Sequence, residues 1–232
     1  MKKLLLSVFA LTVLFFAACK KDKNKPNPQP DSPYQPFTSG STWKYRVVDG
    51  SGETAEADTI LNKMTGDTRT FNGKTFHVLI SKEMVMPESA SVSKLKINEG
   101  PAGDETYIGF NNNIYSSFYE DEYNRIEIGY LNLDKAVGEA WTEKISFKED
   151  GTNLEGQVKT TTIEKGLSKT LHGKTYNDVI HSKVELQVKT GDSYTTKVSL
   201  EFLTAKNIGV ISTTGNIDGE ESVSELIDYN IK

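Results

Sequence analysis

Lys183-Val184-Glu185-Leu186-Gln187-Val188-Lys189 runs through Thr190-Gly191-Asp192 into Ser193-Tyr194-Thr195-Thr196-Lys197-Val198-Ser199-Leu200-Glu201-Phe202. Both runs alternate apolar and polar residues with a period of two, which is the period of a half-buried β-strand. Val184, Leu186 and Val188 share one face, while Lys183, Glu185, Gln187 and Lys189 share the other. Beyond the turn, Tyr194, Thr196, Val198, Leu200 and Phe202 are expected inward, with Ser193, Thr195, Lys197, Ser199 and Glu201 outward. Two such runs joined by a short Gly-Asp turn read as a β-hairpin. A looser alternation runs through 76–81, 126–130 and 141–147. No stretch beyond residue 42 sustains a helical period, although Leu133 to Trp141 has room for one short turn. The pattern predicts an all-β fold of antiparallel strands with little helix.

The chain also repeats itself. Thr70-Phe71-Asn72-Gly73-Lys74-Thr75-Phe76 returns as Thr170-Leu171-His172-Gly173-Lys174-Thr175-Tyr176. Upstream, Gly40-Ser41-Thr42-Trp43 returns as Gly138-Glu139-Ala140-Trp141. Two landmarks in the same order at nearly the same spacing predict a duplicated unit. Asn72-Gly73 and His172-Gly173 are expected to turn equivalent hairpins, because a type I′ turn needs positive φ at both central residues. Trp43 and Trp141 are each expected to anchor the core of their own repeat. The first β-repeat is placed at 37–134 and the second at 135–232, forming either one curved sheet or open barrel, or two packed β-modules.

The N-terminus carries an address. Lys2 and Lys3 precede an apolar run over 4–18. That run falls short of the about 20 residues a spanning helix needs. A short apolar segment after a basic start, closed by small residues, is the pattern of a secretory signal peptide, here 1–18. Ala17-Ala18-Cys19 then resembles a bacterial lipobox, although Phe16 stands where the usual pattern has Leu. The resemblance implies cleavage before Cys19 and acylation of that residue, with palmitate-type chains as the only covalent group expected. Cys19 is the sole cysteine, which excludes a disulfide scaffold. Residues 19–36 follow as a lipid-anchored spacer rich in Lys and Pro. Five of the seven prolines fall between Pro26 and Pro36, a composition that favours an extended, semi-rigid chain.

Net charge is −5, and the six lysines lost with 1–33 outnumber Asp22 and Asp31, so the folded part is more acidic than the whole. An acidic chain lacks the basic face that nucleic-acid binders present, so no nucleic acid is expected as a partner. The Trp-and-glycine pattern, the Gly-Lys-Thr-Tyr turn and Phe202-Leu203-Thr204-Ala205-Lys206-Asn207-Ile208-Gly209-Val210-Ile211 resemble a broad group of Bacteroidetes-type outer-membrane lipoproteins. Some of these have the lipoprotein-carrier fold, a curved open β-barrel over an apolar cavity. The resemblance implies an outer-membrane location. The mainly basic run after Cys19 lacks the acidic signal associated with surface export, which favours the periplasmic face.

Reactive chemistry is sparse. The three histidines, His77, His172 and His181, lack the spacing of a zinc site. No Gly-x-Ser-x-Gly elbow occurs. Gly73-Lys74-Thr75 and Gly173-Lys174-Thr175 lie in hairpin turns and not at the start of a helix, so they are not read as phosphate loops. The acidic stretches Glu120-Asp121-Glu122 and Asp218-Gly219-Glu220-Glu221 are read as solvated loops, with weak calcium binding at 216–221 as the minor alternative. Tyr107, Phe110, Tyr115, Phe118, Tyr119, Tyr123 and Tyr130 crowd one stretch, interleaved with Asn111-Asn112-Asn113 and read as a core strand, a turn and another strand in preference to a lipid-cavity lining or glycan platform. No catalytic residue, metal ligand or cofactor is assigned. The expected function is a non-catalytic, lipid-anchored envelope β-protein that binds a partner or supports an assembly. The alternative is a carrier-like barrel holding an acyl chain or other apolar ligand, and the third class is a hydrolase using the carboxylates. Expected partners are accordingly the membrane, through the anchor, and a protein or an apolar ligand.

Overall fold

The computed structural model describes residues 33–50, 56–83, 104–120, 123–149, 151–217 and 220–232. The expected signal peptide, Cys19 and most of the expected spacer lie outside these residues, as do Asp121, Glu122, Asp218 and Gly219 of the acidic stretches. Twelve strands follow in chain order: β1 Thr42–Asp49, β2 Glu56–Phe71, β3 Lys74–Glu83, β4 Asp104–Asn111, β5 Ile114–Glu120 and β6 Arg125–Asn132. The second six are β7 Ala140–Glu149, β8 Thr152–Leu171, β9 Lys174–Thr190, β10 Ser193–Ala205, β11 Gly209–Ile217 and β12 Glu220–Asn230. No helix occurs among the described residues, and 133–139 is a pair of turns.

All twelve strands join one antiparallel sheet in the order β6-β5-β4-β3-β2-β1-β12-β11-β10-β9-β8-β7. The two runs of six therefore share a continuous sheet, sealed where β1 pairs with β12 (Trp43 opposite Tyr229, Val47 opposite Ser224). Only β6 and β7, consecutive in the chain, have no ladder between them, so the sheet is a nearly closed barrel. Closure needs curvature, and bulges provide it. The second strand of each six carries one beside a positive-φ glycine: the β2–β3 register shifts across Gly66 and the β8–β9 register across Gly166.

The hairpin turns are built as their residues dictate. Asn72 and Gly73 have φ of 50° and 75°, and His172 and Gly173 have 47° and 77°. Asn112-Asn113, within the stretch expected to run strand, turn, strand, has 50° and 62° between β4 and β5. Asparagine reaches this left-handed region more readily than most residues, so the signal was present in Asn111-Asn112-Asn113.

The β9–β10 hairpin forms, with one difference in facing. Lys197 is the extra residue of a bulge: Val198 pairs with Leu186, but Thr196 pairs with Gln187 and Tyr194 with Lys189. One inserted residue flips everything beyond it to the other face. Val198 and Leu200 are buried as expected, whereas Tyr194 and Thr196 lie on the polar face and are exposed. There Thr196 Oγ1 accepts from Gln187 Nε2 at 3.1 Å, and Gln157 Nε2 donates to Gln187 Oε1 at 2.6 Å.

Strand β6 is buried on both faces, which explains its near-continuous apolar reading. It tucks beneath the far end of the rolled sheet, against β7, β8 and β9. A β-carbon at Gly129 would lie 3.6 Å from Trp141 Nε1, so the inward face of β7 covers the outward face of β6. The β5–β6 ladder skips Tyr130 as a bulge, and two carbonyls of this edge find side-chain partners instead. Thr160 Oγ1 donates to Gly129 O at 2.6 Å and Ser182 Oγ to Tyr130 O at 2.5 Å.

Candidate functional site

Inside the roll, alternate residues of β1–β6 and β10–β12 converge on a cavity of about 110 Å³. Trp43 and Tyr45 come from β1, Asn62 from β2, Leu79 and Ser81 from β3, Tyr130 from β6, and Phe202 from β10. Trp43 and Tyr45 are fixed at their polar tips: the indole N–H donates to Ile208 O at 2.6 Å and the phenol to Val210 O at 2.7 Å. Burial pushes the hydroxyls of Tyr45 and Tyr130 well above the usual phenol range, so both are protonated at any physiological pH.

Three polar atoms on this lining have no partner: Asn62 Oδ1, Ser81 Oγ and Tyr130 Oη. Asn62 and Ser81 face each other across the β2–β3 ladder, while Tyr130 stands on β6. Leaving a buried polar group unpaired costs about 1–3 kcal/mol, so a folded chain seldom leaves such groups without a bound water or ligand.

A strap over 33–41 closes one end. Gln35 is buried and lines the cavity, and Phe37 reaches both core clusters while stacking on the His77 ring, centroids 4.2 Å apart. The backbone N–H of Tyr34 donates to Tyr115 Oη at 3.0 Å, and the N–H of Asn207 to Pro33 O at 2.8 Å. Burial lowers the His77 pKa, favouring the neutral ring under Phe37.

The residues singled out from sequence are dispersed. Trp43 is buried on the cavity wall, whereas Trp141 is half-buried over β6. The two glycine turns lie at the barrel end, away from the cavity. After each comes an ion-paired lysine: Lys74 to Glu127 at 2.8 Å and Lys174 to Asp228 at 3.0 Å. His172 pairs with Glu225 and His181 with Glu201, each at 3.0 Å. Among the described residues, no group of three or more metal-binding side chains occurs. The aromatic stretch splits across the sheet: Phe110, Tyr115, Tyr119 and Tyr130 join the inner core, Tyr107 and Phe118 pack outside with Phe71 and Phe76, and Tyr123 is exposed. Of these seven, only Tyr130 lines the cavity.

Glu143 sits in the seam near Glu127. Burial first, then the Glu127 carboxylate, raise its pKa, with Lys74 acting in the opposite sense. A raised carboxyl pKa makes the charged form the costly one when folded. Its stabilising contribution is full below the ordinary value of about 4.3 and disappears as pH rises through the elevated folded value. Glu143→Gln should therefore unfold at higher urea than the parent at pH 7.5, with the difference shrinking towards pH 4.

No family model and no curated protein matches this chain. One solved structure shares the fold. It is the crystal structure at 2.70 Å resolution of a "putative lipoprotein" from Parabacteroides distasonis ATCC 8503, with a TM-score of 0.52 and 12% identity. The alignment covers 87% of this chain and 100% of that one. At that identity the likeness is one of fold.

Proposed function

We propose that this protein is a lipid-anchored, non-catalytic envelope barrel that holds a small, mainly apolar ligand in its interior. The observation that carries this reading is the cavity: apolar walls drawn from both halves of the chain, with a few convergent polar atoms lacking partners. That combination is the usual character of a small-molecule site. An engineered apolar cavity of about 150 Å³ takes up benzene, which sets the scale for the 110 Å³ here. The occupant is accordingly one small molecule or the leading end of a longer chain, in the manner of a carrier. Among the described residues, no carboxylate, histidine, cysteine or lysine lines the cavity, which supports binding over catalysis.

Protein carrying Cys19→Ala, purified without detergent and sprayed under native conditions, should carry a stoichiometric low-mass adduct that organic solvent removes. A ligand-free mass, together with Trp43 emission indifferent to small apolar solutes, would overturn the reading.

Anchoring through Cys19 places the barrel on the outer membrane, with the periplasmic face favoured. Support comes from the lipobox-like Ala17-Ala18-Cys19 and from the fold shared with a protein described as a lipoprotein. Two or more acyl chains give stable attachment where one gives only marginal binding. Cys19→Ala should move the protein from the membrane pellet to the soluble fraction and remove the acyl mass.

A protein partner is the second reading, supported by the charge of one barrel end. Among the described residues, Asp49, Glu83, Asp104 and Glu120 end or begin strands there, against Arg125. The strap, which continues the anchored spacer, enters at the opposite end.

A further inference from the structure

We infer that the cavity selects an uncharged amphiphile, a short apolar body bearing one hydroxyl-type head, and rejects ionised heads on the same body. The inference rests on the cavity-binding reading and adds the chemical class of the ligand. None of the described lining residues carries a charge, so an ammonium or carboxylate would enter without a counter-ion. Transfer of an unpaired ion to such surroundings is far costlier than transfer of a neutral hydroxyl. A pure hydrocarbon is also a poor match, because it leaves the orphaned atoms unpaired. Ser81 and Tyr130 are each 3% exposed, and their hydroxyls either donate or accept. Asn62 Oδ1 only accepts, so the head needs a hydrogen to give. An alcohol meets these demands without charge. Water is the competing occupant, since a buried water needs two to four polar partners and the cavity offers candidates.

The test uses the full chain carrying Cys19→Ala and Trp141→Phe, so that Trp43 is the sole tryptophan and no detergent is needed. Pentan-1-ol, pentanoate and pentylammonium are titrated at pH 7.5 while Trp43 emission and ligand-observed NMR are recorded. The alcohol should bind at least tenfold more tightly than either ion, and pentanoate should gain affinity at pH 4, where more of it is neutral. Equal binding of all three would mean that the head stays in solvent, which overturns this inference while leaving the cavity reading intact. Binding of none removes the cavity reading and the inference with it. Tyr130→Phe and Ser81→Ala, each with an unfolding curve to show that the fold is kept, should weaken the alcohol at least threefold. Undiminished affinity in both variants would assign the orphaned hydroxyls to water and overturn the proposal.

Discussion

Trp43→Ala is expected to lower unfolding free energy by about 3–5 kcal/mol, the range for truncating a buried tryptophan. Trp43 is 2% exposed, in a cluster with Met64, Ile211 and Leu226, all fully buried. Its loss removes the apolar transfer term and strips the Ile208 carbonyl of its indole donor. It also opens further space beside an existing cavity. Relaxation is limited, because β1 is held by full ladders to β2 and β12 on either side. The cost should therefore fall in the upper part of the range. Urea unfolding followed by far-UV circular dichroism measures it. Trp141→Ala, at the half-buried counterpart in β7, should cost less than half as much. Equal losses would contradict the different burial of the two residues.

The second large effect is expected at the seam. Thr160→Val and Ser182→Ala each remove a hydroxyl donor from a carbonyl on the unpaired side of β6. Thr160 and Ser182 are both fully buried, so water cannot readily replace the donor. Each change should cost about 1–3 kcal/mol. The two sites serve adjacent carbonyls on one strand, so the double variant should deviate from additivity. Exposed edges are templates for unwanted strand pairing, so the double variant should also self-associate as it loosens. Unfolding curves and hydrogen exchange of the β6 amides would read both effects. A combined loss below about 0.5 kcal/mol would show that the seam is held by packing alone, since surface-like substitutions fall in that range.

The fold class was legible because strand alternation and turn chemistry are local. Val184-Glu185-Leu186 can hide its apolar side only by lying in a sheet, and Asn72-Gly73 accepts a backbone that most residues avoid. Local rules are blind to an inserted residue. The facing of Tyr194 and Thr196 was misread because a bulge at Lys197 leaves no mark in the alternation. The cavity was not legible, because its walls come one or two residues at a time from strands far apart in sequence. Trp43 meets the Ile208 carbonyl across 165 positions, and Asn62 and Ser81 look like ordinary polar strand residues until the sheet curls around them. The aromatic stretch forms core strands as its composition led one to expect: Phe110, Tyr115, Tyr119 and Tyr130 pack in the inner core, and of the seven only Tyr130 also lines the cavity.

Sequence by itself determined that this chain is built from antiparallel strands, where several of its hairpins turn, and that its N-terminus has the pattern of a lipid-anchored export signal. These are properties of residues within a few positions of one another, governed by backbone sterics and apolar periodicity. The tertiary structure alone decided that the twelve strands share one sheet, that β6 is tucked beneath β7, and that three polar atoms are left unpaired around an apolar space. Those outcomes depend on curvature summed over the whole sheet, where each bulge re-aims the strands beyond it.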